Sequence, residues 1–292
     1  MSFPLAFRHL VDDAAVFPPG LAPLPRAVAE HAGHLASGHA ELVGPFVIGA
    51  DRLAELAGLA GPRLFPGGLR VSVVAGPAAL PAVLAAFAGT DRLVPSAVEF
   101  KPDPALPLGP QIEELAALGF PGTVYVEVPR PGTPEWKQAL VLVVRHGFRL
   151  KFRTGGTEAA AFPAEEEVAA WIHGAVAAGA AFKCTAGLHH AVRHTAAATG
   201  FEHHGYLNVL LATARARAGA SASGVRAALA ERDPEALARA VSALPAAEAA
   251  AAREAFASYG SCSVLEPLED LTGLGLLGPA TIRPPVTEGP HV

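Results

Sequence analysis

Short runs of apolar, mostly β-branched residues recur at a nearly regular spacing along the first two thirds of the chain. Each run is followed by a segment of helical period that ends at a glycine or a short polar turn. Strands that alternate with helices in this way predict a parallel sheet with right-handed crossovers. The predicted strands are centred on Val16, Phe46, Val71, Val98, Val124, Leu150 and Phe182.

These seven strand–helix units, with an eighth strand predicted at 259–263, favour an α/β fold of the (β/α)8 TIM-like barrel type. We assign residues 1–280 to a single barrel domain and residues 281–292 to a C-terminal tail. Helical periods between the seventh and eighth strands predict an insertion over about 201–257, which we interpret as a lid or a dimer element. A doubly wound open sheet is the alternative, but no strand is followed by its GxGxxG fingerprint.

The apolar positions of a barrel strand face the surrounding helices, so they fix which residues point into the barrel. Strands four to seven then direct polar and ionisable side chains inwards. Barrel interiors are usually filled by aliphatic residues, so this departure favours a functional site. The alternative is an ion-pair network that only fills the barrel. The predicted inward residues are Glu99, Lys101, Tyr125, Glu127, Lys151, Arg153, Lys183 and Thr185.

Basic groups outnumber the carboxylates at the predicted sixth and seventh strands, which suits a substrate carrying a phosphate or a carboxylate. Arg153 stands beside the turn Thr154, Gly155 and Gly156, whose backbone N–H groups can hold such an anion. Asp12 and Asp13 precede the first predicted strand, so we interpret them as extra negative charge near the site or as solvated residues.

Lys151 and Lys183 lie on neighbouring predicted strands, and two such lysines suggest chemistry through a Schiff base. Mutual repulsion and burial both favour the neutral amine, which can attack a carbonyl carbon and form a Schiff base. The alternative is that Lys151 and Lys183 each pair with Glu99 or Glu127 and stay charged. Both interpretations place the lysines in the same barrel mouth.

The segments KFRTG, FKCTAG and GSCS resemble the last three strand ends of deoxyribose-phosphate aldolase, a (β/α)8 barrel and class I aldolase. The resemblance implies that Lys151 is the Schiff-base lysine, that Lys183 tunes it, and that Glu99 is the acidic residue of the fourth strand. It also implies a phosphate site in the loops after the last three strands. The residues implied for that site are Gly155, Gly187, Ser261 and Ser263.

The whole chain also resembles a bacterial family of barrel proteins, and this resemblance implies the fold without an activity. The motifs that carry it are AVFPP, KFRTGG, AGLHHAVRH, HGYLNV and GSCSVLEP.

His189, His190 and His194 lie in one short segment after the seventh strand. If Ala191 begins a helix, His190 and His194 lie one turn apart on one face, as metal-binding histidines often do. We therefore keep three interpretations open. The histidines act as acid/base or substrate-binding groups, they bind a divalent metal, or they pack as structural polar residues. No other cofactor is predicted.

Composition narrows the class of protein. Of the 292 residues 51% are hydrophobic and 17% charged, and the net charge of −5 argues against nucleic acid as a partner. The chain shows no signal-peptide pattern and no apolar run long enough to span a membrane. Its two cysteines, Cys184 and Cys262, suit a reducing compartment, so we expect a cytoplasmic protein.

We therefore predict an enzyme that acts on a small anionic carbonyl compound as a carbon–carbon lyase or isomerase through a lysine Schiff base. Lys151 is the nucleophile and Lys183 its tuner, and Glu127, Glu99, His189 or His190 move protons. One alternative is a metal-dependent lyase or hydrolase built on the histidines, and another is a non-catalytic barrel that binds a small molecule. If the chain forms a homodimer, we expect the helical insertion to be the contact.

Overall fold

The computed structural model describes residues 3–278, so the predicted tail at 281–292 lies outside the described residues. Strands within this range are β1 (Val11–Asp13), β2 (Val43–Gly49), β3 (Leu69–Ala75), β4 (Leu93–Phe100), β5 (Thr123–Glu127), β6 (Arg149–Arg153), β7 (Phe182–Thr185), β8 (His194–Thr195), β9 (Glu202–His203) and β10 (Phe256–Ser261). Helices in the same range are α1 (Leu24–Leu35), α2 (Leu53–Leu59), α3 (Leu80–Ala88), α4 (Leu108–Ala117), α5 (Pro134–Arg145), α6 (Glu165–Ala178), α7 (Tyr206–Arg217), α8 (Ala222–Ala230), α9 (Pro234–Ser242), α10 (Ala246–Ala255) and α11 (Leu265–Gly273).

Eight of these strands form a closed, all-parallel barrel in the order β1-β10-β7-β6-β5-β4-β3-β2. The short strands β8 and β9 pair with each other in an antiparallel arrangement apart from the barrel. Helices alternate with the barrel strands, so the predicted (β/α)8 TIM-like barrel is confirmed. Because all strands of a parallel barrel run the same way, their carboxyl ends meet at one mouth, where barrel enzymes carry their active sites.

The strand phase deduced from the apolar positions holds in β6. Phe152 faces the helices, where its ring stacks on Trp171 at a centroid distance of 5.0 Å and lies 6.2 Å from Trp136. It also stacks on Phe182 of β7 at 4.7 Å. Lys151, one residue earlier, points to the opposite side and is buried inside the barrel.

The predicted position of the first strand was wrong. The strand is β1, Val11–Asp13, and Val16 lies in a turn beyond it. Aspartate is depleted in strands, so two adjacent aspartates masked this one. Asp13 faces the outer layer, where its Oδ2 lies 2.9 Å from Nδ1 of His31 on α1. Asp12 therefore points into the barrel, and the interpretation of Asp12 as a solvated residue was also wrong because its side chain is buried.

The predicted helical insertion between the seventh and eighth barrel strands comprises α7 to α10. α7 is its inner helix: it is buried along most of its length and packs between β10 and the helices α8, α9 and α10. Tyr206 of α7 stacks on Tyr259 of β10 at 5.1 Å. The Nδ2 of Asn208 donates to the carbonyls of Ala228 and Glu231, both at 2.8 Å, which joins α7 to the end of α8.

Across residues 3–278, none of the helices combines the length and the apolar character that crossing a membrane requires.

Candidate functional site

Acidic and basic side chains alternate across the inside of the barrel. Nζ of Lys183 lies 2.5 Å from Oδ2 of Asp12 and 2.6 Å from Oε1 of Glu99. The other oxygen of Glu99 lies 3.1 Å from Nζ of Lys151, which is also 3.2 Å from Oε2 of Glu127. Oε1 of Glu127 in turn lies 3.1 Å from Nε of Arg153. We call these six residues the ionic chain; it holds three acids and three bases.

The ionic chain runs from the closed interior to the open mouth. Asp12, Lys183 and Glu99 are buried, and the Lys151 side chain is only 2% exposed. Exposure then rises to 16% for the side chain of Glu127 and 44% for that of Arg153. Of the two lysines in the ionic chain, Lys151 is therefore the one nearer to the more exposed side chains of Glu127 and Arg153.

The two lysines are held differently. Burial disfavours the charged form of Lys183, but the carboxylates of Asp12 and Glu99 outweigh it and raise the pKa of Lys183 above its ordinary value. The expectation that repulsion and burial would favour a neutral amine is wrong for this lysine. Lys151 contacts its two carboxylates at longer distances, 3.1 and 3.2 Å.

Glu99 bridges the two lysines and is fixed by three partners. Burial alone would raise its pKa, but Lys183 and Lys151 outweigh burial and lower the pKa of Glu99 to about 2. The hydroxyl of Ser72 on β3 also donates to its Oε1 at 2.9 Å. Glu99 is therefore an anion at neutral pH, which makes a role as proton carrier unfavourable for it.

Asp12 anchors the buried end of the ionic chain. Its Oδ2 accepts from Ser258 on β10 at 2.8 Å in addition to Lys183. Gly44 on β2 gives the carboxylate its space, because a Cβ at that position would lie 2.2 Å from Oδ1 of Asp12. Nζ of Lys183 also lies 5.3 Å from the ring centroid of Tyr125, within cation–π range.

Glu127 contacts Lys151 through one carboxylate oxygen and Arg153 through the other. Burial would raise its pKa, but Lys151 and Arg153 outweigh burial and lower the pKa of Glu127. Its Oε2 is buried and has no hydrogen-bond partner of good geometry in the described chain, although Lys151 lies within ion-pair distance. Oε2 is therefore the oxygen of Glu127 that a proton from Lys151 would reach.

The predicted anion-binding turn after β6 packs directly against the turn after β7. The Thr154 hydroxyl donates to the carbonyl of Ala186 at 2.6 Å, so it joins the two turns. A Cβ on Gly155 would lie 2.8 Å from the Cα of Gly187, which itself has a φ of 76°. Both glycines are thus required by the close approach of the two backbones. Gly156 follows in the same turn, where a Cβ would lie 2.7 Å from that of Ala161.

Other predicted site residues lie around the mouth without joining the ionic chain. β4 ends at Phe100, so Lys101 comes after the strand and is exposed instead of pointing into the barrel. Thr185 is half-buried at the end of β7. The Ser261 hydroxyl accepts from the N–H of Ser263 at 3.3 Å, and the Ser263 hydroxyl accepts from the N–H of Glu266 at 3.2 Å. These two serines thus hold the turn before α11.

Ala191 does not begin a helix, so the condition for placing His190 and His194 one turn apart on a helix face is not met. The N–H of Ala191 is taken by Oδ2 of Asp270 on α11 at 2.7 Å, and the N–H of Arg193 is taken by Oδ1 of Asn208 at 2.8 Å. Side chains of two other helices therefore fix the backbone of this segment. The segment instead passes irregularly into β8.

The histidines of this segment have separate partners. Nδ1 of His190 lies 3.2 Å from Oδ2 of Asp270, and Nδ1 of His194 lies 3.1 Å from the carbonyl of Val192. The His194 ring lies 5.0 Å from that of His190 and stacks on that of His203 at 5.1 Å. Across residues 3–278 there is no group of three His, Cys, Asp or Glu side chains arranged to hold a metal ion.

Arg193 and His204 form a buried scaffold beneath these histidines. Arg193 pairs with Glu165 and Glu202, each at 3.1 Å, and its NH1 lies 3.1 Å from Nδ1 of His204. Nε2 of His204 lies 2.8 Å from the carbonyl of Pro163. Burial lowers the pKa of His204 to about 4, so the ring is neutral and ties the loop to α6.

His189 stands apart from this scaffold and faces the loop after β10. Its Nδ1 lies 3.6 Å from Sγ of Cys262 and 3.3 Å from Oε2 of Glu266. His189 was predicted as a site residue, but nothing in the sequence indicated that it would contact Cys262. Ser258 was likewise missed, and Asp12 was expected only as added negative charge near the site or as a solvated residue, not as a buried partner of Lys183. Only the inward phase of β1 and β10 could have indicated those two residues.

Comparisons with protein families, curated proteins and solved structures find none that matches this chain.

Proposed function

We propose that the protein is an enzyme that forms a Schiff base between Lys151 and a small anionic carbonyl compound, and that it acts as a carbon–carbon lyase or isomerase. The observation that carries the proposal is the exposure gradient of the ionic chain, in which Lys151 lies between the sealed interior and the open mouth. A network that only filled the barrel would need no such opening, because its ions depend on the partners buried with them to offset the cost of desolvation.

Lys183 supports the reaction without taking part in bond formation. Its contacts of 2.5 and 2.6 Å to two carboxylates hold it as a buried cation. As a fixed cation it also holds Glu99, whose other oxygen contacts Lys151 at 3.1 Å. Glu99 therefore links Lys183 to Lys151, because each of its carboxylate oxygens contacts one of the two lysines.

Glu127 is the proton carrier in this proposal. Oε2 of Glu127 takes a proton from the Lys151 ammonium, and the resulting neutral amine attacks the carbonyl carbon of the substrate. A C–N bond forms as the π pair of the carbonyl moves to oxygen. The attacking nitrogen then gives a proton to the alkoxide, which becomes a hydroxyl. Glu127 returns its own proton to this hydroxyl, and water leaves to give the iminium ion.

Arg153 binds the anionic group of the substrate. It is the most exposed member of the ionic chain. Its Nε donates to Oε1 of Glu127 at 3.1 Å, and its NH1 lies 3.5 Å from the carbonyl of Gly155. A guanidinium binds carboxylate and phosphate through paired hydrogen bonds. As Arg153 turns to the substrate, Glu127 loses one of the charges that lower its pKa, which makes it a better acceptor for the Lys151 proton.

Borohydride trapping tests the proposal. The protein is incubated with an anionic aldehyde such as glyoxylate, or with a neutral aldehyde of similar size, and the reduced adduct is measured by intact mass. We expect an adduct that forms preferentially with the anionic aldehyde. Lys151→Arg should abolish it while keeping the positive charge, Arg153→Gln should remove the preference for the anion, and Lys101→Arg should change neither.

Equal trapping by wild type and Lys151→Arg would contradict the Schiff-base step. A thermal shift with anionic ligands but no adduct for any of them would instead favour the non-catalytic binding barrel.

A further inference from the structure

A second reactive group lies at the same mouth, outside the ionic chain. Cys262 follows β10 directly, so it stands at the carboxyl end of a barrel strand and is half-buried. Its sulfur lies 3.6 Å from Nδ1 of His189, within the range of a sulfur hydrogen bond. The other cysteine, Cys184, is fully buried on the outer side of β7.

The imidazole is held in place by a carboxylate. Nδ1 of His189 also lies 3.3 Å from Oε2 of Glu266 on α11, and the His189 side chain is 17% exposed. Contacts with Cys262 and Glu266 raise the pKa of His189 to about 9, against the opposing effect of burial. The ring is therefore a cation at neutral pH, placed against the sulfur.

The charges around this pair come from three elements. Glu266 lies on α11, His190 lies beside His189 with its own partner Asp270, and His203 lies on β9. His203 is bound through Nδ1 to the carbonyl of Gly187 at 3.1 Å, and burial lowers its pKa. His189 is thus the cation that contacts the sulfur.

We propose that Cys262 and His189 form a thiolate–imidazolium pair, a second covalent site that takes small α,β-unsaturated carbonyl compounds. A thiolate beside an imidazolium is the usual form of a reactive cysteine, and such cysteines are partly exposed, as Cys262 is. The site does not depend on Lys151, so it stands or falls separately from the Schiff-base proposal.

The reaction is a conjugate addition. The sulfur attacks the β-carbon, a C–S bond forms, and the π pair of the C=C bond moves towards the carbonyl to give an enolate. The enolate takes the proton of the His189 imidazolium, which becomes neutral, and the product is a thioether. The reverse sequence releases the compound. Thiolate and imidazolium together supply every proton and electron pair that the step needs.

Alkylation by N-ethylmaleimide, itself an α,β-unsaturated carbonyl compound, tests the pair. The rate is followed by intact mass, and peptide mapping identifies the cysteine. Near pH ~7 we expect His189→Asn to react about fivefold more slowly than wild type, because few thiols are ionised there without a cation. The difference should shrink towards pH ~9.5, where most thiols are thiolate. Cys184 should stay unmodified, because burial raises the pKa of its thiol.

His190→Asn is the matched control, since it removes the neighbouring ring that contacts Asp270 instead of the sulfur. We expect it to react at the wild-type rate. Equal rates for wild type and His189→Asn near pH ~7, or modification at Cys184 in place of Cys262, would overturn the proposal. If His189→Asn does not fold, the thiolate ultraviolet absorbance of wild type is compared with that of Cys262→Ser. A difference near pH ~7 supports the pair, and identical spectra overturn it.

Discussion

Glu99→Gln is the substitution that tests the ionic chain at its centre. It removes the charge of the carboxylate that contacts Lys183 at 2.6 Å and Lys151 at 3.1 Å, and it nearly preserves the shape of the side chain. The buried chain then carries one acid fewer than bases. Lys183 keeps Asp12 and Lys151 keeps Glu127, so each lysine still has one carboxylate.

Two estimates give the expected loss in the free energy of unfolding for Glu99→Gln. The pKa of Glu99 falls from an ordinary value of 4.5 to about 2. Since a tenfold change in proton affinity is worth about 1.4 kcal/mol, this difference corresponds to about 3 kcal/mol of stabilisation. Breaking a buried ion pair by removing one partner costs about 3–5 kcal/mol in other proteins. We therefore expect Glu99→Gln to lower the free energy of unfolding by about 3 kcal/mol near neutral pH.

The pH dependence separates this origin from a simple packing defect. Because the folded-state pKa of Glu99 lies below the unfolded one, its stabilisation is complete above pH 4.5 and is lost as pH falls through about 2. The difference between wild type and variant should therefore narrow to roughly 1 kcal/mol at pH ~3. Urea unfolding followed by circular dichroism at several pH values measures it.

Glu113→Gln is the matched control, because Glu113 pairs with Arg145 and His146 on the surface. Exposed pairs contribute at most about 1 kcal/mol, so we expect a small change. A loss below about 1 kcal/mol for Glu99→Gln near neutral pH, or a loss that stays constant down to pH ~3, would contradict an electrostatic role for Glu99.

Other parts of the structure give further predictions. Gly44→Ala should lower the free energy of unfolding by about 1–3 kcal/mol, because the added Cβ would displace the Asp12 carboxylate. The control is Gly58→Ala, whose Cβ would meet no atom within 4 Å, so we expect it to be neutral or stabilising. Unfolding curves of the two variants measure this, and equal stability would contradict the role of Gly44. Nitrogen-15 NMR of His204 should show the neutral Nε2–H tautomer down to about pH 4, since Nε2 faces a carbonyl and Nδ1 faces a guanidinium. Titration near the ordinary histidine value of about 6.5 would contradict that assignment.

The barrel was predictable because its signals are local. The apolar runs of β2 to β7 and the helical periods between them each lie within a short stretch of sequence, and the outward phase of Phe152 fixed the inward phase of Lys151. The same alternation in the neighbouring strands predicts that four charged side chains share the barrel interior, and the structure shows them in contact there: Glu99, Glu127, Lys151 and Lys183.

The features that the sequence did not predict arise from closure of the barrel or from contacts between loops. β1 has three residues, two of them aspartates, so it shows no hydrophobic period, and its partner β10 lies at the other end of the chain. The contact of Asp12 with Lys183 therefore exists only in the closed barrel. Cys262 meets His189 through two irregular segments. Irregular segments have no periodicity from which their relative positions could be deduced.

The most direct test of the central claim is to identify the lysine that a small anionic aldehyde modifies. The chain has four lysines, of which Lys101 and Lys137 are exposed and Lys151 and Lys183 are buried. After borohydride reduction of a mixture with limiting glyoxylate, peptide mapping gives the adduct at each position. We expect Lys151 to carry most of the label although it is buried, and Lys183 to remain unlabelled. Label confined to Lys101 and Lys137, or found on Lys183 ahead of Lys151, would contradict it.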